Sequence, residues 1–390
     1  MKPAWCMAFL AACLAAGAVT ASEQGGRHAE PQLLAALEKM RSSQLDDALR
    51  DVDELLREQP NFQLARLVYG DLMLAKAGPL RGLGNAEDTP DKRLEQLRRE
   101  AQARLQARQS PPPADHLPSS LWQLAPEIPS VLVVDSASSR LYLFDNGPAG
   151  PRHVADYYVT IGKNGAGKQV RGDGKSPLGV YFITSEIPRA KLSDFYGAGA
   201  LPLDYPNPWD QRLGHTGDGI WLHGVPSNTY SRAPQASDGC VVLANADFED
   251  LRARVRPGVT PVIVSPRVEW QPREQVLRRG REFQAALEQW RHDWESRDTG
   301  RYLRHYSKDF KADGKTYAAW AAHKQRVNAA KAFIKVTLKR VSAVAYPSEQ
   351  ELVAVDFEQL YQSNNLNGQT RKRQYWRKEG DGHWRILYEG

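Results

Sequence analysis

The apolar residues of this chain change period three times, and no single core accommodates all of the changes. From residue 31 to about 78 they recur at helical spacing, as in Leu33, Leu34, Leu37 and Met40, then Leu45, Ala48, Leu49, Val52, Leu55 and Leu56. A stripe repeating every three or four residues buries itself against another helix, so this stretch predicts a helical hairpin region. Its run from Ala48 through Pro60 to Leu74 is like one degenerate tetratricopeptide unit, with no second copy visible. Asp91 to Gln109 predicts another helix, and Ser110-Pro111-Pro112-Pro113 ends it in a stiff linker because proline has no N–H to continue the ladder. A boundary falls near residue 118.

From Ser130 the pattern becomes short β-rich runs at Val131 to Val134, Arg140 to Phe144, Asp156 to Ile161, Gly179 to Thr184, Gly219 to His223 and Thr260 to Ser265. Asn245 to Val255 reads as a helix with Asn245 as its N-cap. Helical spacing then returns at Glu282 to Arg297, Tyr302 to Phe310 and Tyr317 to Ala330. Strand-like runs follow at Phe333 to Tyr346, Glu351 to Ser363 and Thr370 to Tyr388, the last broken by Gly380-Asp381-Gly382. The fold class expected is therefore multidomain: a helical region over 22–118, a mostly-β domain over 129–265 and an α+β domain over 281–390.

Lys2, the apolar run Trp5 to Val19 and the small residues Val19-Thr20-Ala21 before Ser22 read as a cleaved secretory signal, residues 1–21. The run is shorter than the roughly 20 residues that span a bilayer. Leu10-Ala11-Ala12-Cys13 has the form of a lipobox, but the apolar run continues past Cys13, which argues against lipidation. The expected location is periplasmic. With 41% apolar and 25% charged residues the chain is neither disordered nor multispanning. Lys plus Arg number 52 against 46 Asp plus Glu, a mild excess that admits acidic partners without calling for nucleic acid.

Loss of the leader removes Cys6 and Cys13 and leaves Cys240 as the one cysteine, unable to form an internal disulfide. It is either a small buried hydrophobe or a nucleophile. Its company favours the second. Gly219-Ile220-Trp221-Leu222-His223-Gly224 is followed by Ser237-Asp238-Gly239-Cys240-Val241. A thiol of ordinary pKa is mostly protonated at pH 7, so it needs an imidazole in reach to act as a thiolate, and His223 is that candidate. Such a poised thiolate would alkylate well below pH 8. Gly239 allows a tight turn, and the N–H groups of Asp238, Gly239 and Cys240 can converge on an oxyanion. With no obvious carboxylate partner, the Gly224 carbonyl is the acceptor expected to fix the imidazole tautomer.

This spacing resembles the L,D-transpeptidase (YkuD) family, whose signature is His-Gly followed some fifteen residues later by Ser/Thr-x-Gly-Cys-Ile/Val. Gly172-Asp173-Gly174-Lys175-Ser176-Pro177-Leu178-Gly179-Val180-Tyr181 is similar to a second family segment. The resemblance implies Cys240 as nucleophile, His223 as base, Gly224 as carbonyl partner, and Ser237, Asp238 and Gly239 as the turn that forms the oxyanion site. The family commonly has Arg where this chain has Val242, and His or Arg where it has Asp238. Arg232, with Tyr230 beside it, is therefore the candidate for holding a substrate carboxylate.

Gly162 to Gln169 nearly spells a phosphate-binding loop, but Gln169 replaces the required hydroxyl and no helix follows. His215 and His223 lack partners at ligand spacing, so no metal and no cofactor are expected. The C-terminal segment, with Trp290, Trp294, Tyr302, Tyr306, Trp320, Tyr375, Trp376 and Trp384, resembles the NTF2-like fold, most of these rings being core. Arg371, Lys372, Arg373, Arg377 and Lys378 read as a solvated basic edge.

The domain order is similar to that of periplasmic enzymes acting on peptidoglycan stem peptides, including L,D-carboxypeptidases of cell-shape systems. The resemblance implies a thioester on the tetrapeptide stem with release of D-alanine. Transfer to an amine (transpeptidase) is placed first, transfer to water (carboxypeptidase) second. A non-catalytic wall-binding scaffold, recruiting cell-wall proteins through the helical region, is the alternative of another class.

Overall fold

The computed structural model describes residues 29–80, 82–84, 91–312 and 314–390. The leader read over 1–21, Cys13 included, lies outside them.

Four helices form the first region: α1 (Ala29–Arg41), α2 (Leu45–Glu58), α3 (Gln63–Ala75) and α4 (Lys92–Gln109). Their apolar stripes meet in one cluster that includes Leu33, Leu37, Val52, Leu55, Leu64, Val68 and Leu72. Asp91 caps α4 by accepting a hydrogen bond from the Arg93 N–H. The region does not stand apart behind the proline linker. Tyr230 of the central domain belongs to its cluster, with its ring centroid 4.0 Å from that of Phe62.

The central domain is built on a five-stranded sheet in the order Gly150–Tyr158, Arg140–Gly147, Ser130–Asp135, Pro261–Ser265, Gly179–Phe182. Only the Ser130–Asp135 and Pro261–Ser265 pair is parallel. The unbroken apolar run Val131-Leu132-Val133-Val134 is explained by cover on both faces. Val131, Val133 and Ile263 face a core shared with the C-terminal domain, while Leu132, Val134, Val262 and Val264 face a second core toward the candidate site. A smaller sheet runs Val241–Val242, Trp221–His223, Gly199–Pro202, Ile187–Pro188. The strand expected to reach Ile161 ends at Tyr158, and Ile161–Gly162 pairs separately with Gln235–Ser237.

The C-terminal domain packs helices on a four-stranded antiparallel sheet, Ile334–Ala345, Leu352–Ser363, Asn367–Lys378 and Trp384–Glu389. Its first helix begins at Arg273, earlier than the expected Glu282, and crosses Trp122 at Gly280, where a Cβ would stand 2.3 Å from the Trp122 carbonyl oxygen. The helix expected over Tyr302 to Phe310 is only Thr299–Leu303. Phe283, Trp290, Tyr302, Tyr306 and Trp376 are almost wholly buried, each burial contributing about 1.5–3 kcal/mol. The basic strand is not a solvated edge throughout. The Arg373 side chain is only 11% exposed, bonded to Asp356 at 3.0 Å and 3.6 Å from Asp204 of the central domain, and Arg371 donates to the Gly258 carbonyl. The Asp204 carboxylate and the Gly258 carbonyl of the central domain turn this edge into an interdomain seam.

Candidate active site

His223 ends the strand Trp221–His223, paired with Ala200 on one side and Val242 on the other, and is 1% exposed. Its Nδ1 lies 2.6 Å from the Gly224 carbonyl oxygen. A carbonyl only accepts, so Nδ1 carries the proton and Nε2 keeps the free lone pair that a base requires. The ring stands edge-on to Tyr196, centroids 5.1 Å apart, and 5.8 Å from the half-exposed Phe195. Burial pushes the imidazole pKa down to about 4; the Gly224 bond opposes this and the Arg232 charge adds to it.

Cys240 immediately precedes Val241–Val242, which runs parallel to Trp221–His223 with Val241 opposite Leu222. That register carries Cys240 alongside Trp221, and strand alternation gives Cys240 and Val242 the face shared by Trp221 and His223. The Sγ–H donates to the Gly219 carbonyl at 3.4 Å. Burial pushes the thiol pKa up, against a backbone hydrogen bond from Trp221 and the charges of Arg232 and Lys168. Burial thus favours the neutral form of both groups, more strongly for the buried imidazole than for the half-buried thiol, and works against a standing thiolate–imidazolium pair.

Gly239 has φ +133°, and a Cβ there would stand 2.7 Å from the Lys175 carbonyl oxygen, so the turn before the thiol requires glycine. Its N–H donates to Ser237 Oγ at 3.1 Å, and that hydroxyl donates to the Cys240 carbonyl at 2.7 Å. The Gly239 N–H is therefore committed to the turn itself, which leaves Asp238 and Cys240 as the backbone donors for an oxyanion. The Asp238 side chain is exposed and paired with Lys163 at 2.7 Å.

Arg232 stands 4.8 Å over the Phe195 ring, and its charge acts on both His223 and Cys240. Its guanidinium has no hydrogen bond or ion pair to another described residue. Tyr230, expected beside it as a substrate contact, is instead 7% exposed and turned into the helical cluster. Apolar cover from Phe62 and the other helices outcompetes the cleft for this ring.

Two further residues shape the site. Ser176, fully buried, donates to the Gly239 carbonyl at 2.8 Å and accepts from the Gly162 N–H, which ties the second family-like segment to the nucleophile turn. Asn245 is not its helix's N-cap; that position is Ala244. Its Oδ1 accepts from the Ala198 and Val225 N–H groups and its Nδ2 donates to the Val225 carbonyl, clamping the backbone just after His223-Gly224. Only the Ser-Pro segment signalled the first of these; nothing in the sequence signalled the second. Lys168 of the near phosphate-binding loop is buried and bonded to Asp173 at 2.8 Å, so its charge closes its own loop. Among the described residues no group of three or more His, Cys, Asp or Glu is placed to hold a metal ion.

Residues 129–264 match the family model of the L,D-transpeptidase catalytic domain, YkuD, and residues 282–390 match that of the Cds6 C-terminal NTF2-like domain. The structure of Bdellovibrio bacteriovorus Bd1075 is similar over 71% of this chain and 98% of its own, at 30% identity and a TM-score of 0.62. The helical cell shape determining protein Pgp2 from Campylobacter jejuni is similar over 70% of this chain and 94% of its own, at 23% identity and a TM-score of 0.61, a likeness of fold. No curated protein matches the chain.

Proposed function

Since the chain belongs to the YkuD-type L,D-transpeptidase family, in the arrangement with a C-terminal NTF2-like domain, we propose that it is an exported, periplasmic enzyme that cleaves the tetrapeptide stem of peptidoglycan through a Cys240 thioester. The observation that carries this reading is the Nδ1 bond of His223 to Gly224, which frees Nε2 as a base on the strand beside the thiol.

As Sγ attacks the carbonyl carbon of the third stem residue, Nε2 takes the thiol proton, so no free thiolate has to exist in the resting site. The negative oxygen of the tetrahedral adduct is held by the backbone N–H groups of Asp238 and Cys240. Collapse breaks the C–N bond, and the imidazolium returns its proton to the departing D-alanine amine. Nε2 next removes a proton from the acceptor that attacks the thioester, and the thiol is restored. Arg232, whose guanidinium has no ion pair among the described residues and whose charge acts on both groups, holds the free carboxylate of the stem.

Water and an amine use the same thioester. Transfer to an amine joins two stems and is placed first; transfer to water trims tetrapeptide to tripeptide and is placed second. Mass analysis of disaccharide-tetrapeptide incubated with the purified protein tests both levels of the reading. Loss of one alanine indicates hydrolysis; a linked dimer indicates transfer instead. Cys240→Ala abolishes either product, and a Cys240→Ala protein as active as the parent would end the proposal. Cys240→Ser retains little activity, because a serine hydroxyl is far harder to ionise.

A further inference from the structure

The helical region lies outside both segments that match family models, yet it grips the loop that carries Arg232. The carboxylate of Glu100 on α4 is 2% exposed, and its Oε1 accepts from Ser231 Oγ at 2.7 Å and from Arg104 Nε and Nη2 at 3.0 and 2.9 Å. Tyr230 is stacked on Phe62, and Asn61 Nδ2 donates to the Ser227 carbonyl at 3.1 Å. Arg104 also lies 4.0 Å over the ring of Tyr158, whose hydroxyl donates to the Arg232 carbonyl at 2.8 Å, the shorter of the two bonds that carbonyl accepts, the other coming from Thr160 Oγ1 at 3.1 Å. Thus Ser227, Tyr230 and Ser231 are tied to the helices directly and Arg232 through one intermediary.

With no ion partner among the described residues, the guanidinium owes its position to its own backbone and to the ring beneath it. We infer that the helical region is a positioning element for Arg232: α4, through Glu100 and Ser231 and through Arg104 and Tyr158, sets where the substrate carboxylate is held. The inference rests on the reading of Arg232 as the carboxylate anchor. The buried Glu100–Arg104 pair is a stiff support, because moving Ser231 away would leave a desolvated carboxylate short of a donor.

The test uses the full chain with Ser231→Ala, Tyr158→Phe, their combination and Arg232→Gln. Disaccharide-tetrapeptide is compared with the same stem amidated at its terminal carboxylate. The double variant is expected to raise KM for the carboxylate substrate about tenfold, the scale of a lost hydrogen bond, with kcat within about twofold and KM for the amide unchanged. Ser231→Thr, which keeps the hydroxyl, restores KM. If Arg232→Gln raises KM but the double variant does not, the helical region does not position the anchor and the inference fails alone. If Arg232→Gln leaves KM unchanged for both substrates, the underlying reading of Arg232 fails. Equal losses of activity on both substrates together with a lower melting temperature would assign these bonds to domain packing only, and would also overturn the inference.

Discussion

Lowering the pH discriminates between a desolvated and an ordinary imidazole at position 223. Burial holds the His223 pKa near 4, against about 6.5 for an unperturbed histidine. At pH 5.5 an ordinary imidazole is only about 10% neutral, whereas one with a pKa near 4 is about 97% neutral, so the two cases differ by about tenfold in available base. The acid limb of kcat/KM for stem cleavage, followed by chromatography between pH 4 and 8, is therefore expected to centre near 4. Phe195→Ala opens one side of the ring and should move that limb upward. Stability carries the same signature. Above about pH 6.5 both folded and unfolded His223 are neutral and contribute nothing. Below it the unfolded chain takes up a proton that the folded chain refuses until about pH 4, so stability falls across that interval by up to about 3 kcal/mol. Urea unfolding of the parent and of His223→Gln, which lacks this slope, measures it. An acid limb centred at 6.5 and indifferent to Phe195→Ala would refute the desolvated-base argument.

Two substitutions test the braces around the site. Ser176→Ala leaves the Gly239 carbonyl and the Gly162 N–H without their buried partner, and should cost about 1–3 kcal/mol in denaturant unfolding while lowering kcat more than it raises KM. Asn245→Ala removes three bonds from the Ala198 and Val225 backbone, so a loss of at least about 2 kcal/mol and a fall in kcat are expected; Asn245→Asp, which keeps the acceptor and loses the donor, should lie between.

What was legible in the sequence was local. The unbroken apolar run Val131 to Val134, the tight Ser237-Asp238-Gly239-Cys240 turn and the His223-Gly224 strand end are each encoded within a few residues, and composition and turn chemistry suffice to read them. The braces were not legible, because they join distant segments. Ser176 meets Gly239 across 63 positions, and Asn245, whose type suits an N-cap, spends its amide on a strand end 20 positions back. Arg373 and Tyr230 were misplaced for the same reason. A basic residue on a strand and a tyrosine near an arginine look solvent-facing until a partner domain supplies Asp204 or Phe62. The resting protonation state also escaped, since it depends on how much water the assembled walls exclude from both groups at once.

The ionic cluster under α1 and α4 has a consequence for assembly. Glu30 must wait 110 positions for Arg140, and Glu100 must wait 131 for Ser231. Arg104 of α4 already pairs with both carboxylates, but the surface that covers the three charges is made only after the helices are complete, so their docking is a late, non-local step. A fragment ending at the proline linker would leave Glu30, Glu100 and Arg104 facing water without the strands that cover them, so the helical region is no cassette for grafting onto another enzyme.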